Sequence, residues 1–228
     1  MLALLLILAI LIAVFGPSIW VRVVMHSNAT EIAGMPGTGG ELAAHLVERL
    51  GLDGVTVETS TIGDHYDPTD RVVRLSAGNY EGRSLTAVAV AAHEVGHAIQ
   101  HHRGDRHLAA RTRLAPVANQ VAKFGVYAIS IAPVIGLITR HPVPFSLIAL
   151  LGVSGLVARV IVHVVTLPTE WDASFGKALP ILIEGQYIAP GEEQVVKKVL
   201  RAAALTYFAA ALADVLNLVR WAAILLRR

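Results

Sequence analysis

The 228-residue chain has no cysteine, and only 16% of its residues are charged. The absence of cysteine excludes disulfide bonds, a cysteine nucleophile and a cysteine-ligated zinc site. With a net charge of +2 and no run of lysine or arginine, the chain lacks the basic surface of a nucleic-acid-binding protein, and no nucleic-acid partner is expected. The scarcity of charge accompanies a hydrophobic content of 54%, which indicates that part of the chain is solvated by the lipid bilayer.

Three apolar stretches predict transmembrane helices. Residues 1–24 carry one charge, at Arg22, and are long enough to span a bilayer. Because no positively charged segment precedes this run, and the run is longer than the core of a typical signal peptide, we expect a retained N-terminal anchor rather than a cleaved signal. Residues 114–167 contain the other two stretches and predict a transmembrane helix hairpin, in which Gly152 and Gly155 suit close helix packing.

Polar residues interrupt the later apolar segments. Arg159 and His163 lie within the third apolar stretch, so at least one face of that helix is expected to meet protein or water. Residues 191–228 predict one long helix that is polar at first and apolar from Ala202, with Asp214 inside its apolar part. We expect this helix either to span the membrane or to lie against the other helices.

Residues 25–113 hold most of the acidic residues and turn signals, and they predict a small region of mixed α and β structure. Its predicted elements are a helix over 41–50, strands over 55–59 and 71–76, and a helix from the N-cap Ser84 to His102, ended by Gly104. The second strand is interpreted either as an edge strand, to which an extended peptide substrate can add, or as part of an ordinary hairpin packed on the helix. A further helix is predicted to begin at Pro168.

The segment AAHEVGHAIQHH, residues 91–102, carries the clearest chemical signal. His93 and His97 are four residues apart, so on a helix both imidazoles point the same way and can bind one metal ion. Glu94 is rotated away from that pair, where it can hold and deprotonate a metal-activated water. The pattern predicts a hydrolytic zinc site, and its alternative is a solvated helix face that carries histidines without a metal.

A hydrolytic zinc site needs a third protein ligand and an open position. His101 continues the spacing of the motif, but eight helical residues from His93 rise about 12 Å, which is too far for one ion. The polar segment 166–176 lies between apolar stretches and is expected to supply Glu170, in the first turn of a helix, as the third ligand. Asp172 is expected to be a partner of a ligating histidine or an alternative ligand.

The blocks AVAAHEVGHAIQ, DHYDP and TLPTEWDAS, with the order of the apolar segments, resemble the membrane-bound neutral zinc metallopeptidases of the YugP type. The resemblance covers nearly the whole chain. It implies a multi-pass bacterial membrane protein with a gluzincin-like site, in which His93, His97 and Glu170 bind Zn2+ and Glu94 is catalytic. Better-known gluzincins often have an acidic residue four positions after the glutamate ligand, whereas this chain has Ser174 there.

Together these observations predict a mainly α membrane protein of the α+β type. A zincin-like catalytic region with a small β-hairpin or sheet is combined with about three to four transmembrane helices. The predicted segments are an N-terminal anchor (1–24), the catalytic region (25–113), a transmembrane hairpin (114–167), the segment with the third ligand (168–190) and a long C-terminal helix (191–228).

The predicted function is zinc-dependent hydrolysis of peptide bonds in membrane or juxtamembrane polypeptides, with Glu94 as the general base. The oxyanion of such a reaction needs a donor besides zinc, and the candidates are His65, Tyr66, Arg83 and Tyr207. The alternatives are another zinc amidohydrolase acting on envelope material, and a non-enzymatic membrane scaffold or regulatory subunit with structural zinc. A membrane-protein partner and a homo-oligomer both stay open.

Basic residues are concentrated on one side of the predicted hairpin. Four arginines lie within residues 103–113, before its first helix, whereas the loop between its two helices has Arg140 alone. The positive-inside rule therefore predicts a multi-pass protein of the bacterial cytoplasmic membrane whose catalytic part faces the cytoplasm. Arg227 and Arg228 favour the opposite orientation if the last helix spans the membrane.

Overall fold

The structure is a computed structural model that describes the backbone of residues 2–226. The side chains that it does not describe in this range are those of residues 2–4, 6–7, 9–10, 13–14, 142 and 217–226. Arg227 and Arg228, whose charges bear on the predicted orientation, lie outside the described residues.

Helices make up most of the described chain. They are α1 (Leu2–Ser27), α2 (Gly39–Arg49), α3 (Ala77–Tyr80), α4 (Leu85–His102), α5 (Arg106–Thr139), α6 (Pro142–Trp171), α7 (Leu179–Glu184), α8 (Glu193–Ala204) and α9 (Thr206–Leu226). A π-helix (Asp172–Ala178) joins α6 to α7, and a 3-10 turn (Pro190–Glu192) precedes α8. The strands are β1 (Thr56–Ser60), β2 (His65–Asp67) and β3 (Val72–Ser76). The prediction of a mainly helical membrane protein with a small sheet is confirmed.

The chain divides into two compact units. The helical unit consists of residues 1–16, 110–166 and 207–228, and the mixed unit consists of residues 17–109 and 167–206. The boundaries of the five predicted segments stay predictions.

Helix α4 forms the centre of the mixed unit. Its residues from Leu85 to Gln100 are all buried, and half of them are alanine or valine. Such small side chains let α2, α8 and the π-helix pack closely around it. Ser84 caps the first turn by accepting a hydrogen bond from the backbone N–H of Ala87 at 3.2 Å. Gly104, with a φ of 66°, follows the last turn. The predicted bounds of this helix are confirmed.

The three-stranded sheet has the order β1-β3-β2, with β1 parallel and β2 antiparallel to β3. The prediction that residues 71–76 form an edge strand was wrong, because β3 has a partner on both sides. Its Arg74 pairs with Glu58 of β1 at 2.6 Å and with Asp67 of β2 at 2.9 Å. The sequence predicts only a turn before β3, because a strand as short as β2 shows too little alternation to be recognised.

Two predicted helix boundaries were also wrong. Helix α6 continues through Pro168 to Trp171, so Glu170 lies in the last turn of a long helix and not in the first turn of a new one. Proline removes one helical hydrogen bond, but tertiary context can override such a local preference, and the turn that contains Thr169 and Glu170 is buried. The long helix predicted over 191–228 is broken at Leu205, between α8 and α9.

Glycines bring α5 and α6 together within the helical unit. A Cβ on Gly125 would lie 2.8 Å from the carbonyl oxygen of Gly152, and a Cβ on Gly155 would lie 2.8 Å from that of Val121. Only glycine permits this separation of the two backbones, as the small-residue spacing in the sequence predicts.

Three helical segments of the described chain are long and apolar enough to cross a membrane. They are Arg106–Thr139, Val143–Glu184 and Pro190–Leu216. The first two contain the predicted hairpin. Helix α1 contains the predicted N-terminal anchor, whose crossing of the membrane stays a prediction.

Candidate metal centre

Three buried side chains converge in the mixed unit. His93 and His97 extend from consecutive turns of α4, and Glu170 extends from the last turn of α6. Oε2 of Glu170 lies 3.2 Å from Nε2 of His93 and 3.4 Å from Nε2 of His97. Each of the three residues is at most 4% exposed. Among the described residues, these three form the group whose ligand atoms are close enough to share one metal ion.

Ser174 orients the ring of His93. Its Oγ lies 3.0 Å from Nδ1 of His93 and donates a hydrogen bond to the backbone carbonyl of Leu200 at 3.1 Å. Since a hydroxyl has a single hydrogen to donate, Ser174 accepts the bond from the Nδ1–H of His93. Nε2 of His93 therefore keeps its lone pair and can bind the metal.

Gln100 orients the ring of His97. Its amide nitrogen donates to the carbonyl of Thr169 at 2.9 Å and to the carboxylate of Asp172 at 2.8 Å. Its amide oxygen therefore lies toward His97, 2.9 Å from Nδ1, so His97 also donates through Nδ1 and keeps Nε2 for the metal. Lys177 donates to Asp172 at 2.7 Å. Asp172 is thus connected to His97 through Gln100 and is not one of the three converging groups.

A glycine in the histidine motif allows the third side chain to approach. A Cβ on Gly96 would lie 2.7 Å from the backbone carbonyl oxygen of Ala173 in the π-helix. The absence of a side chain lets the backbones of α4 and the π-helix touch, and this contact brings Glu170 and Ser174 to the two histidines. π-Helical turns are rare in proteins overall, but those that occur are often at functional sites.

The donor set fits zinc. Two imidazole nitrogens and one carboxylate oxygen are the ligands of many catalytic zinc sites, in which water takes the fourth position. A structural zinc site is usually closed by four protein ligands, whereas the group among the described residues has three. Glu94, which is 6% exposed, directly follows His93 on α4.

Comparison with known proteins agrees with this donor set. Residues 3–226 match the model of a family described as "Putative neutral zinc metallopeptidase". The chain belongs to this family. Zinc is therefore the metal that the three converging side chains imply, and the predicted cofactor is confirmed.

A relative from Bacillus subtilis supports the assignment of this chain to the metallopeptidase family. The two chains are 40% identical over 221 residues, which cover 94% of each, and the relative is named "Putative membrane protease YugP". The predicted family resemblance is thereby confirmed, as is the association of the protein with a membrane. No solved structure matches the chain.

Of the four predicted oxyanion stabilisers of the metallopeptidase, Tyr66 contacts the helix that carries the histidines. Its hydroxyl lies 2.8 Å from Nδ1 of His101, one helical turn beyond His97. Burial raises the pKa of the Tyr66 phenol and lowers the pKa of the His101 imidazole. At neutral pH the pair is therefore an uncharged phenol and an uncharged imidazole.

Each of the other three candidates has a different environment. Nδ1 of His65 lies 3.1 Å from the carbonyl oxygen of Gly63. Arg83 is exposed at the surface of the mixed unit. Tyr207 belongs to the helical unit, where its hydroxyl accepts a hydrogen bond from Arg111.

Sequence reasoning did not identify Gln100 or Gly96 as residues of the site. Gln100 could have been found, because it lies three residues after His97 and so is on the same face of the helix. Gly96 could have been noticed as a poor helix former inside the motif. Ser174 was noticed as a departure from the family pattern, but its contact with His93 depends on the π-helix, which the sequence does not reveal.

Two cavities of the mixed unit lie apart from the three converging side chains. One of about 600 Å³ is lined by residues within 32–36 and 183–193, and one of about 300 Å³ is lined by residues within 35–45 with Val88 and Tyr187. None of the three ligands lines either cavity. His93, His97 and Glu170 are each at most 4% exposed.

Proposed function

We propose that this protein is a membrane-bound zinc endopeptidase in which His93, His97 and Glu170 hold the metal and Glu94 is the general base. The observation that carries the proposal is the buried group of three ligands beside Glu94, because three protein ligands leave a coordination position for water. Membership of the zinc metallopeptidase family supports hydrolysis of peptide bonds as the reaction.

Each side chain has a separate part in the reaction. When bound, zinc acidifies a water molecule and polarises the scissile carbonyl. Glu94 accepts a proton from that water and gives it to the leaving amine as the peptide bond breaks. Ser174 and Gln100 keep the rings of His93 and His97 in one tautomer and one orientation throughout.

Tyr66 stabilises the oxyanion of the tetrahedral transition state. Its support is the hydrogen bond to His101, which ties β2 to the helix that carries the ligands. When His101 donates through Nδ1–H to the phenol oxygen, the phenol hydrogen is left to be donated to the oxyanion. Since β2 is an edge strand of the sheet, substrate in an extended conformation can add beside it.

The substrates are membrane proteins or their juxtamembrane segments. The apolar residues 114–167 lie in sequence between the histidines and Glu170, so two spans that leave and return to one membrane face would hold the site at that face. The arginines within 103–113, against Arg140 alone in the hairpin loop, support a multi-pass arrangement in a bacterial cytoplasmic membrane with the site on the cytoplasmic side.

The first experiment compares the wild type with Glu94→Gln and with the control Glu81→Gln, in which an exposed glutamate of the same unit is changed. All three proteins are purified in detergent, and their zinc content is measured. They are then incubated with an unfolded protein and with a membrane-anchored polypeptide, and the products are identified by mass spectrometry. We expect equal zinc content, and cleavage by the wild type and Glu81→Gln alone.

The other outcomes distinguish the alternatives. Equal cleavage by Glu94→Gln and the wild type would show that Glu94 is not the general base. Hydrolysis of envelope amides without cleavage of either polypeptide would favour a different zinc amidohydrolase. Stoichiometric zinc with no hydrolysis of any substrate would favour a scaffold or regulatory subunit with structural zinc.

A further inference from the structure

An ion pair on the π-helix leads to the metal centre. Nζ of Lys177 donates to both carboxylate oxygens of Asp172, at 2.8 and 2.7 Å. Asp172 also accepts a hydrogen bond from the amide of Gln100 at 2.8 Å, and the amide oxygen of Gln100 lies 2.9 Å from Nδ1 of His97. Lys177 is therefore the first member of a continuous series of hydrogen bonds that ends at one of the three converging side chains.

The same series of hydrogen bonds holds the turn that carries Glu170. The amide nitrogen of Gln100 also donates to the backbone carbonyl of Thr169 at 2.9 Å, one residue before Glu170. Since one N–H of the amide is bound to Thr169 and the other to Asp172, the amide cannot turn over without the loss of a bond. Gln100 is 1% exposed, and an unpaired polar group in such a buried position costs free energy.

The π-helix makes the ion pair possible. Asp172 and Lys177 are five residues apart, whereas side chains that meet on an α-helix are three or four residues apart. A π-helix has hydrogen bonds between residues i and i+5, and the segment Asp172–Ala178 adopts this conformation. An ion pair at this spacing therefore favours the π-helical turn over an α-helical one.

A glycine leaves room for the carboxylate in this turn. A Cβ on Gly176 would lie 2.2 Å from Oδ1 of Asp172 and 3.1 Å from its Cγ, so a side chain there would displace the carboxylate. The side chain of Asp172 is 42% exposed, whereas that of Lys177 is 17% exposed. Because Asp172 is only partly enclosed by packing, its carboxylate is held mainly by its hydrogen bonds to Lys177 and Gln100.

We propose that Lys177 is a positioning residue of the metal centre. It holds the carboxylate of Asp172, and that carboxylate fixes the amide of Gln100. The amide then sets the ring of His97 and the turn that carries Glu170. Outer partners of this kind orient metal ligands, and their loss weakens metal binding. The inference rests on the proposed metal centre, and it assigns a part in that centre to a cation two side chains away from His97.

The test measures metal binding by the full-length protein purified in detergent. Lys177→Gln, Lys177→Arg and the control Lys197→Gln are compared with the wild type. Zinc affinity is measured by competition with a chromophoric chelator, and the visible absorption of the cobalt(II)-loaded protein reports the coordination geometry. Lys197 pairs with Glu193 at 3.3 Å in the same unit, so Lys197→Gln makes the same change in charge outside the series of hydrogen bonds.

The expected results separate Lys177 from the control. Lys177→Gln should weaken zinc binding roughly tenfold, the lower end of the effect of outer partners, and should alter the cobalt spectrum. Lys177→Arg should keep zinc affinity within about threefold of the wild type, because a guanidinium can bind both carboxylate oxygens, and Lys197→Gln should bind like the wild type. When Lys177→Gln is added to Asp172→Ala, zinc affinity should fall little further, because both changes break the same link.

Three results would overturn the proposal. They are wild-type zinc affinity and cobalt spectrum in Lys177→Gln, an equal loss of affinity in Lys197→Gln, and additive losses in the double variant, which would show that Lys177 acts by another route. If Lys177→Gln fails to fold, Gly176→Ala displaces the carboxylate and keeps the cation, so reduced zinc affinity supports the proposal and wild-type affinity overturns it. A wild type that binds no zinc would overturn the metal centre and this inference with it, whereas unchanged binding by Lys177→Gln leaves the proposed function intact.

Discussion

At the scale of residues, two uncharged acceptors orient the histidines of the metal centre. Ser174 stands where better-known gluzincins often have an acidic residue, and Gln100 reaches His97 from the next turn of the same helix. The acid of this site, Asp172, is connected to the metal group through Gln100 and is neutralised by Lys177.

Replacement of Ser174 should weaken zinc binding. Ser174→Ala removes the acceptor of the Nδ1–H of His93 and leaves a buried donor unpaired, so we expect zinc affinity to fall roughly 10- to 100-fold. Competition with a chromophoric chelator measures the change. Ser154→Ala, which removes an exposed hydroxyl of α6, is the control. An unchanged zinc affinity in Ser174→Ala would show that Ser174 does not hold the ring.

Removal of the Tyr66 hydroxyl should slow catalysis more than it weakens substrate binding. If the phenol donates to the oxyanion, Tyr66→Phe should lower kcat roughly 100-fold with little change in KM, because the bond forms in the transition state. Steady-state kinetics on a fluorogenic peptide measure both constants, and Tyr80→Phe is the control. A fall in kcat/KM that arises from KM alone would assign Tyr66 to substrate binding.

The pair of Tyr66 and His101 should make the fold sensitive to mild acid. Burial lowers the pKa of His101 in the folded state, so below the ordinary imidazole pKa of about 6.5 the unfolded chain binds more protons than the folded chain. The free energy of unfolding should therefore fall as the pH drops from about 6.5 through the lowered pKa. When denaturation is measured from pH 7.5 to 5, the free energy of unfolding should depend less on pH in His101→Gln than in the wild type. If the free energy of unfolding depends on pH equally in His101→Gln and in the exposed control His102→Gln, His101 does not cause the sensitivity to acid.

At the scale of elements, the site depends on the contact between α4 and the π-helix. Helix α4 supplies two of the three converging side chains, at a spacing that any α-helix provides. Glu170 reaches them because α6 continues past Pro168 and the chain then turns in the π-helix, with Ala173 against Gly96. The geometry of the third ligand is thus set by a meeting of two backbones.

A methyl group at Gly96 should separate those backbones. In Gly96→Ala the added Cβ would lie 2.7 Å from the carbonyl oxygen of Ala173, so the π-helix must move and take Glu170 with it. We expect zinc affinity to fall at least tenfold, since the carboxylate can no longer share the ion with both histidines. Gly78→Ala, whose Cβ would meet nothing within 4 Å, is the control. Wild-type zinc affinity in Gly96→Ala would contradict this account.

At the scale of the whole molecule, the candidate metal centre brings together side chains from segments that are far apart in the sequence. His93 and Glu170 belong to segments on opposite sides of the apolar residues 110–166, yet both lie in the mixed unit. A ligand that binds only the folded state stabilises it in proportion to the logarithm of its concentration over Kd.

Removal of zinc should therefore destabilise the mixed unit and abolish hydrolysis. With free zinc about 1,000-fold above Kd, the loss of stability on chelation should be about 4 kcal/mol. Thermal unfolding with and without a chelator measures it. When zinc is restored, both stability and activity should recover. The loss of stability on chelation should be smaller in Glu170→Gln, which we expect to bind zinc weakly. Equal destabilisation of the wild type and Glu170→Gln would show that the chelator acts on something other than this site.

Much of this protein was determined by its sequence alone, because the relevant signals are local. The bounds of α4 follow from Ser84, the apolar run and Gly104, and the metal-binding motif lies within one helix. The family follows from short blocks of sequence, and the close packing of α5 and α6 is indicated by Gly152 and Gly155. Each of these features depends on residues a few positions apart, or on composition along one segment.

The tertiary structure decided the features that depend on which segments meet. The sequence predicted that Glu170 begins a helix at Pro168 and that residues 71–76 form an edge strand, and both predictions were wrong. Tertiary context overrides the local preference of proline in the last turn of α6, and a long-range pairing with β1 places β3 at the centre of the sheet. The contacts of Ser174 and Gln100 with the histidines likewise exist only after the π-helix has packed on α4, so no local pattern encodes them.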